Sequence, residues 1–151
     1  MEALIFALHI IFASLWIGGM LFMVLVLSPY VRKLPPTIST EAYQEVGKRY
    51  SLWGTFIGLP LLLLTGLYNM HLMGVDLSEL LHGSSQYIST LRLKIGFYLI
   101  TVILAFSHDL YFGPKSAENP KLKKFARVFG VINLVVGLII IYLAVRLRLG
   151  G

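Results

Sequence analysis

Four apolar runs, each about as long as a bilayer is thick, constrain this chain more than anything else in its sequence. They cover residues 3–28, 52–73, 91–112 and 126–147. A hydrocarbon core is about 30 Å thick and is crossed by about 20 apolar residues of helix. Inside it a chain must satisfy its own N–H and C=O groups, so helices and closed barrels are the available answers. The sequence therefore predicts an all-α integral membrane four-helix bundle, with all 151 residues in one domain. The first run reads as a span and not as a cleaved signal peptide. It is too long, has no positive segment before it and has no A-x-A site after it.

Composition agrees. The chain is 57% apolar and 13% charged, against about 45–50% and about 25% for an average soluble domain. Those values exclude a disordered tail and an ordinary cytosolic globule. The net charge of +6 suggests a nucleic-acid partner only until the charges are placed. They lie between the apolar runs, where they report topology, so no nucleic-acid partner is expected and the lipid bilayer is. The connections carry Arg32, Lys33, Lys48 and Arg49 in the first loop, and Lys115, Lys121, Lys123, Lys124 and Arg127 around the third. The other side has Arg92, Lys94, Arg146 and Arg148. Nine against four makes loops one and three cytoplasmic and the bundle N-out/C-out. A multi-pass protein of the bacterial cytoplasmic (inner) membrane is the expected setting. Within the first loop, residues 41–50 suit a short amphipathic surface helix. Residues 113–125 are turn-rich and basic.

Ionisable groups in hydrocarbon are expensive, which makes each a functional candidate. The spans contain His9, His71, Lys94, His108 and Asp109, with Arg49 at a boundary. At about 100° per residue, His9, Trp16, Met20 and Met23 share one face of the first span, and Lys94, Phe97, Thr101 and His108 one face of the third. Such stripes should face the bundle interior. Depth limits which groups can meet. His9, His71 and Lys94 belong to the outer leaflet. His108 lies 14 residues beyond Lys94, or about 21 Å further in. The two axial nitrogens of one iron sit about 4 Å apart. His9 with His71 is thus a possible pair, whereas His108 needs a second site. Asp109, one residue on, is expected to pair with Arg49 or a loop lysine in preference to supporting His108.

Inward histidines in a helical bundle suit haem b, with Arg49 or Lys94 available to propionates. Trp16 lines the same face as His9. Within the bundle, desolvation would let Lys94 act as a catalytic base; at a helix end it would snorkel. Copper is the other metal that fits, because His and thioether ligands suit Cu(I). His9, Met20 and Met23 offer one set, and Met70, His71 and Met73 a second cluster. The chain has no cysteine, which excludes thiolate sites, iron–sulfur clusters and covalent haem attachment. It has no G-x-S-x-G, H-E-x-x-H or P-loop motif.

The first span reads LHIIFASLWIGGMLF, the second ends in TGLYN, and the third reads LRLKIGFYLITVILAFSHDLYFGP. Together these resemble small membrane proteins of the copper-resistance-D (CopD-like) family and the HemJ-type protoporphyrinogen oxidases, which share a four-helix core. The HemJ-type resemblance implies a haem b oxidoreductase acting on a porphyrin, with His9 as iron ligand and Lys94 functional. The CopD-like resemblance implies copper movement, with His9 and the methionines as transient ligands. The wide spacing of Lys94 and His108 departs from the HemJ-type pattern and matches CopD-like sequences better. The expectation is a haem b redox protein (electron transfer or porphyrinogen oxidation) holding iron through His9, His71 and His108, with a quinone or porphyrin as partner substrate. Copper handling is the alternative. A third reading is an accessory subunit of a larger membrane complex, and a homo-oligomer remains open.

Overall fold

The computed structural model describes residues 1–116 and 119–151; the turn-rich stretch 113–125 therefore falls partly outside the described residues. Every regular element among them is helical. Four helices are long and apolar enough to cross a membrane: α1 (Glu2–Val31), α2 (Pro36–Leu72), α4 (Gln86–Lys115) and α5 (Pro120–Arg148). A short helix, α3 (Leu77–His82), lies in the second connection.

The helix starts carry recognisable caps. Pro36 occupies the first turn of α2, where its missing N–H costs nothing. Asp76 accepts the Glu79 N–H at 2.7 Å to start α3. Ser85 accepts the Ile88 N–H at 3.2 Å to start α4, and Asn119 the Lys121 N–H at 2.8 Å to start α5. Gly74, at φ 74°, takes the left-handed turn that follows α2.

The structure corrects the sequence reading at the start of α2. Residues 41–50 are not a separate surface helix. They are the first part of a continuous 37-residue helix beginning sixteen residues before position 52. At 1.5 Å per residue α2 is about 55 Å long, well over the thickness of a hydrocarbon core. Its polar first third projects beyond the apolar part.

Three helices contain a wide, π-helical turn: Met23–Leu27 in α1, Ser51–Gly58 in α2 and His108–Phe112 in α4. Each lies just before a proline inside the helix, at Pro29, Pro60 and Pro114. A proline ring clashes with the carbonyl four residues earlier and offers it no N–H. Those carbonyls belong to Leu25, Phe56 and Leu110, all within the wide turns. Widening the turn moves each carbonyl off the ring and re-pairs the backbone, as a helix in lipid must. α5 has its proline only at the start, and carries no such turn. Because neighbouring helices run antiparallel, all three wide turns sit at the end of the bundle that bears the two basic loops.

The helices pack as two hairpins, α1 with α2 and α4 with α5, joined by a shared core. Trp16, Ile17, Met20, Leu59, Leu62, Ala105, Val136 and Ile140 form it. Close approach depends on glycine. A Cβ on Gly137 would lie 3.0–3.2 Å from the side-chain ends of Ile17, Trp16 and Met20, so these would have to shift for α5 to seat as closely against α1. The Tyr50 ring fills a slot between Gly19 and Gly54, which a Cβ on either would obstruct. Its hydroxyl donates to the Trp16 carbonyl at 2.7 Å. Tyr98 donates likewise to the Leu59 carbonyl at 2.8 Å, tying α4 to α2. Large apolar side chains such as Leu25, Leu64, Ile103 and Tyr142 cover the outside, where lipid tails are as apolar as the core.

Candidate metal site

At the end of the bundle opposite the basic loops, His9 of α1 meets Thr65 of α2, with Nδ1 2.8 Å from Oγ1. The Thr65 hydroxyl has one proton, and donates it to the Leu61 carbonyl at 2.7 Å. Towards His9 it must therefore accept. Nδ1 carries the hydrogen, and the lone pair of the neutral ring sits on Nε2. Gly66 makes room for the ring, because a Cβ there would lie 3.3 Å from His9 Cε1. Lys94 of α4 is half-buried at about the same height, one turn before Tyr98, whose hydroxyl meets the Leu59 carbonyl of α2. An imidazole held at one nitrogen and open at the other is the arrangement that orients a metal ligand.

The remaining sequence candidates do not gather around His9. His71 is exposed, with its ring edge-on to Tyr68 at 6.4 Å between centroids. It lies six residues from Thr65 on α2, about 9 Å along the axis and about 120° around it. The arrangement thus turns His71 away from His9. Met73 is exposed and accepts a hydrogen bond from the Tyr87 hydroxyl at 2.9 Å. Trp16 is 3% exposed and belongs to the core. Arg49 is exposed and paired with Glu45 at 3.0 Å. Met20 is buried, with its sulfur 3.6 Å from the Asn133 amide nitrogen. Met20 lies eleven residues beyond His9, about 16 Å along α1, so the two cannot hold one ion. Among the described residues no group of three His, Cys, Asp or Glu side chains is placed to hold a metal.

His108 and Asp109 behave contrary to expectation. Asp109 pairs neither with Arg49 nor with a loop lysine: its Oδ1 accepts from His108 Nδ1 at 2.6 Å. On a regular helix the two side chains diverge by about 100°. Here both lie in the wide turn before Pro114. That turn also brings Gly113 beneath His108, where a Cβ would lie 3.6 Å from Cε1. The Asp109 side chain is 6% exposed, and its Oδ2 has no partner among the described residues. His108 is thus a second imidazole held at Nδ1, at the opposite end from His9.

Residues 44–147 match the family model for copper resistance protein D. The chain belongs to the copper resistance protein D family. It is also 40% identical over 150 residues to an uncharacterized protein of Aquifex aeolicus (strain VF5), covering 99% of this chain and 97% of that one. No solved structure matches it. The family match covers Thr65, Lys94, His108 and Asp109 but begins after His9 and Trp16. Thr65 was visible in the sequence only as part of TGLYN, and no spacing rule marked it as the partner of His9. The sequence suits Tyr50 to an inner interfacial aromatic belt and Asn133 to the depth of His108; the Tyr50 bond to the Trp16 carbonyl and the Asn133 contact with Met20 are set by the fold.

Proposed function

We propose that this member of the copper resistance protein D family handles copper(I) in a bacterial cytoplasmic membrane, with His9 Nε2 as its first ligand. The observation that carries the reading is the Thr65 hydroxyl fixing the His9 tautomer, in a chain of this family. Imidazole and thioether donors suit Cu(I). Met20 and Met23 are further donors along the same helix, spaced as successive stations and not as one cage. On the positive-inside rule His9 lies in the outer leaflet and His108 in the inner, so the donors run from one face towards the other.

The test is copper(I) titration of the purified protein against a chromophoric chelator, with a visible spectrum of the same sample. Stoichiometric copper that His9→Ala removes, with no Soret band, is the expected result. Copper binding unchanged in His9→Ala would overturn the assignment.

One observation favours a second reading. The Lys94 cation, at the height of His9 on the other hairpin, opposes a metal cation there and suits a carboxylate, such as a haem propionate. In that reading His9 is one axial ligand of haem b. His71, turned away on α2, does not fit as the other. A Soret band lost in His9→Ala would establish it. A sample with neither copper nor porphyrin would favour an accessory subunit of a larger membrane complex.

A further inference from the structure

Four side chains that are at least nine-tenths buried carry a polar atom with no partner among the described residues: Trp16 Nε1, Thr101 Oγ1, Asn133 Oδ1 and Asp109 Oδ2. They come from three different helices. In a lipid-surrounded bundle bulk water cannot reach such groups, and leaving them bare is strongly unfavourable.

Their heights follow from contacts already described. His9 meets Thr65, Tyr98 meets the Leu59 carbonyl, and Met20 meets Asn133. With these pairs level, and 1.5 Å per residue, Trp16 lies about 10 Å beyond His9, Thr101 about 13 Å, Asn133 about 16 Å and Asp109 about 25 Å. The four atoms therefore descend through about 15 Å, half of the roughly 30 Å of a hydrocarbon core, and Asp109 lies about 25 Å below His9. All are inside the bundle. Trp16 belongs to the shared core, Thr101 lies one turn before the core residue Ala105, and Asn133 contacts the core residue Met20. The Asp109 side chain is 6% exposed and hydrogen-bonded to His108.

We infer that the interior holds a continuous file of water joining the His9–Thr65–Lys94 cluster to the His108–Asp109 pair, so that the fold is a hydrated route for a small cation and not a closed binding site. Buried water takes up polar atoms that the protein leaves unpaired, and each molecule needs two to four partners. An indole donor, a hydroxyl, an amide oxygen and a carboxylate oxygen, stepped along one interior, supply them in alternation with one another. The inference goes beyond copper handling and does not depend on copper being the cargo.

The sequence has two tryptophans, which makes the test direct. The full chain, with its indoles labelled with nitrogen-15, is placed in lipid nanodiscs without metal. The Trp16 Nε1 proton is followed by NMR for cross-peaks to water and for exchange into deuterium oxide. Trp53, exposed on the bundle surface, is assigned by Trp53→Phe. A water cross-peak at Trp16, with exchange while the fold is intact, is expected. Thr101→Val is close to isosteric and should abolish the cross-peak and slow the exchange. A Trp16 proton as protected as the core amides, with no water cross-peak, would overturn the file. Exchange at Trp16 unaltered by Thr101→Val would also overturn it, since that water would be an isolated pocket. The wild-type measurement needs no variant to fold, and copper titration remains a separate result.

Discussion

Thr65 does two things with one hydroxyl: it donates to its own helix at Leu61 and accepts from His9 on the next. Removing that hydroxyl frees the His9 ring to rotate and to exchange tautomers. Partners that orient a ligand are typically worth about 10- to 100-fold in metal affinity. Thr65→Val should therefore weaken copper(I) binding by about tenfold without unfolding the bundle, and Thr65→Ser should restore it, both read by chelator competition. Lys94 separates the two functional readings because its charge acts on them with opposite sign. Lys94→Gln removes a cation at the height of His9. It should strengthen copper(I) binding by about three- to tenfold, an electrostatic effect of ordinary size across a partly buried separation. If the cofactor is haem, the same variant should lose porphyrin on dilution. The direction of the change, read on one variant, decides between the metal and the macrocycle.

The three wide turns show how an element's fine structure follows from one residue type. Pro29, Pro60 and Pro114 are plain in the sequence, and so is the rule that each disturbs the carbonyl four residues before it. What the sequence did not disclose is the consequence at Pro114, where the disturbed turn carries His108 and Asp109. A regular 100° step argued against their pairing; the wide turn permits it. The long apolar runs and their all-helical outcome were legible because lipid leaves a chain so few alternatives. The His9–Thr65 contact was not, since it depends on how α1 and α2 are rotated about their axes. That rotation fits the Tyr50 ring, which sits against Gly54 one turn on and against Gly19 of α1, and the fold alone brings Gly19 to it. The prolines give a test at this scale. Pro60→Ala returns an N–H to the Phe56 carbonyl in a turn with no candidate ligand. It should raise thermal stability in detergent by about 1–3 kcal/mol. Pro114→Ala should close its turn likewise, but separate His108 from Asp109. The expected signature is a changed His108 tautomer in the nitrogen-15 spectrum, with His9 unaltered.

At the scale of the whole molecule, two hairpins present imidazoles at opposite ends, each held at Nδ1, and charge alone carries the proposal for their direction across the membrane. The end with the wide turns carries nine lysines and arginines in or beside its loops and the other end four. The same end carries the polar first third of α2, which extends beyond the apolar part of the helix and needs an aqueous compartment to sit in. On the charge difference we propose that the His108–Asp109 end faces the cytoplasm and His9 the outer face. A reporter active only outside the cell, fused after Gly151, should therefore be active. Changing Lys121, Lys123 and Lys124 to Gln leaves six basic residues against four, since three of nine are lost. Orientation responds to the difference between loops and not to the total, so this variant should insert in both directions and its reporter activity should fall. Adding three lysines after Arg148 to that variant makes seven against six and should lower the activity further. Full activity in both variants would mean that α2's long cytoplasmic segment, and not the third loop, fixes the direction in which the bundle faces.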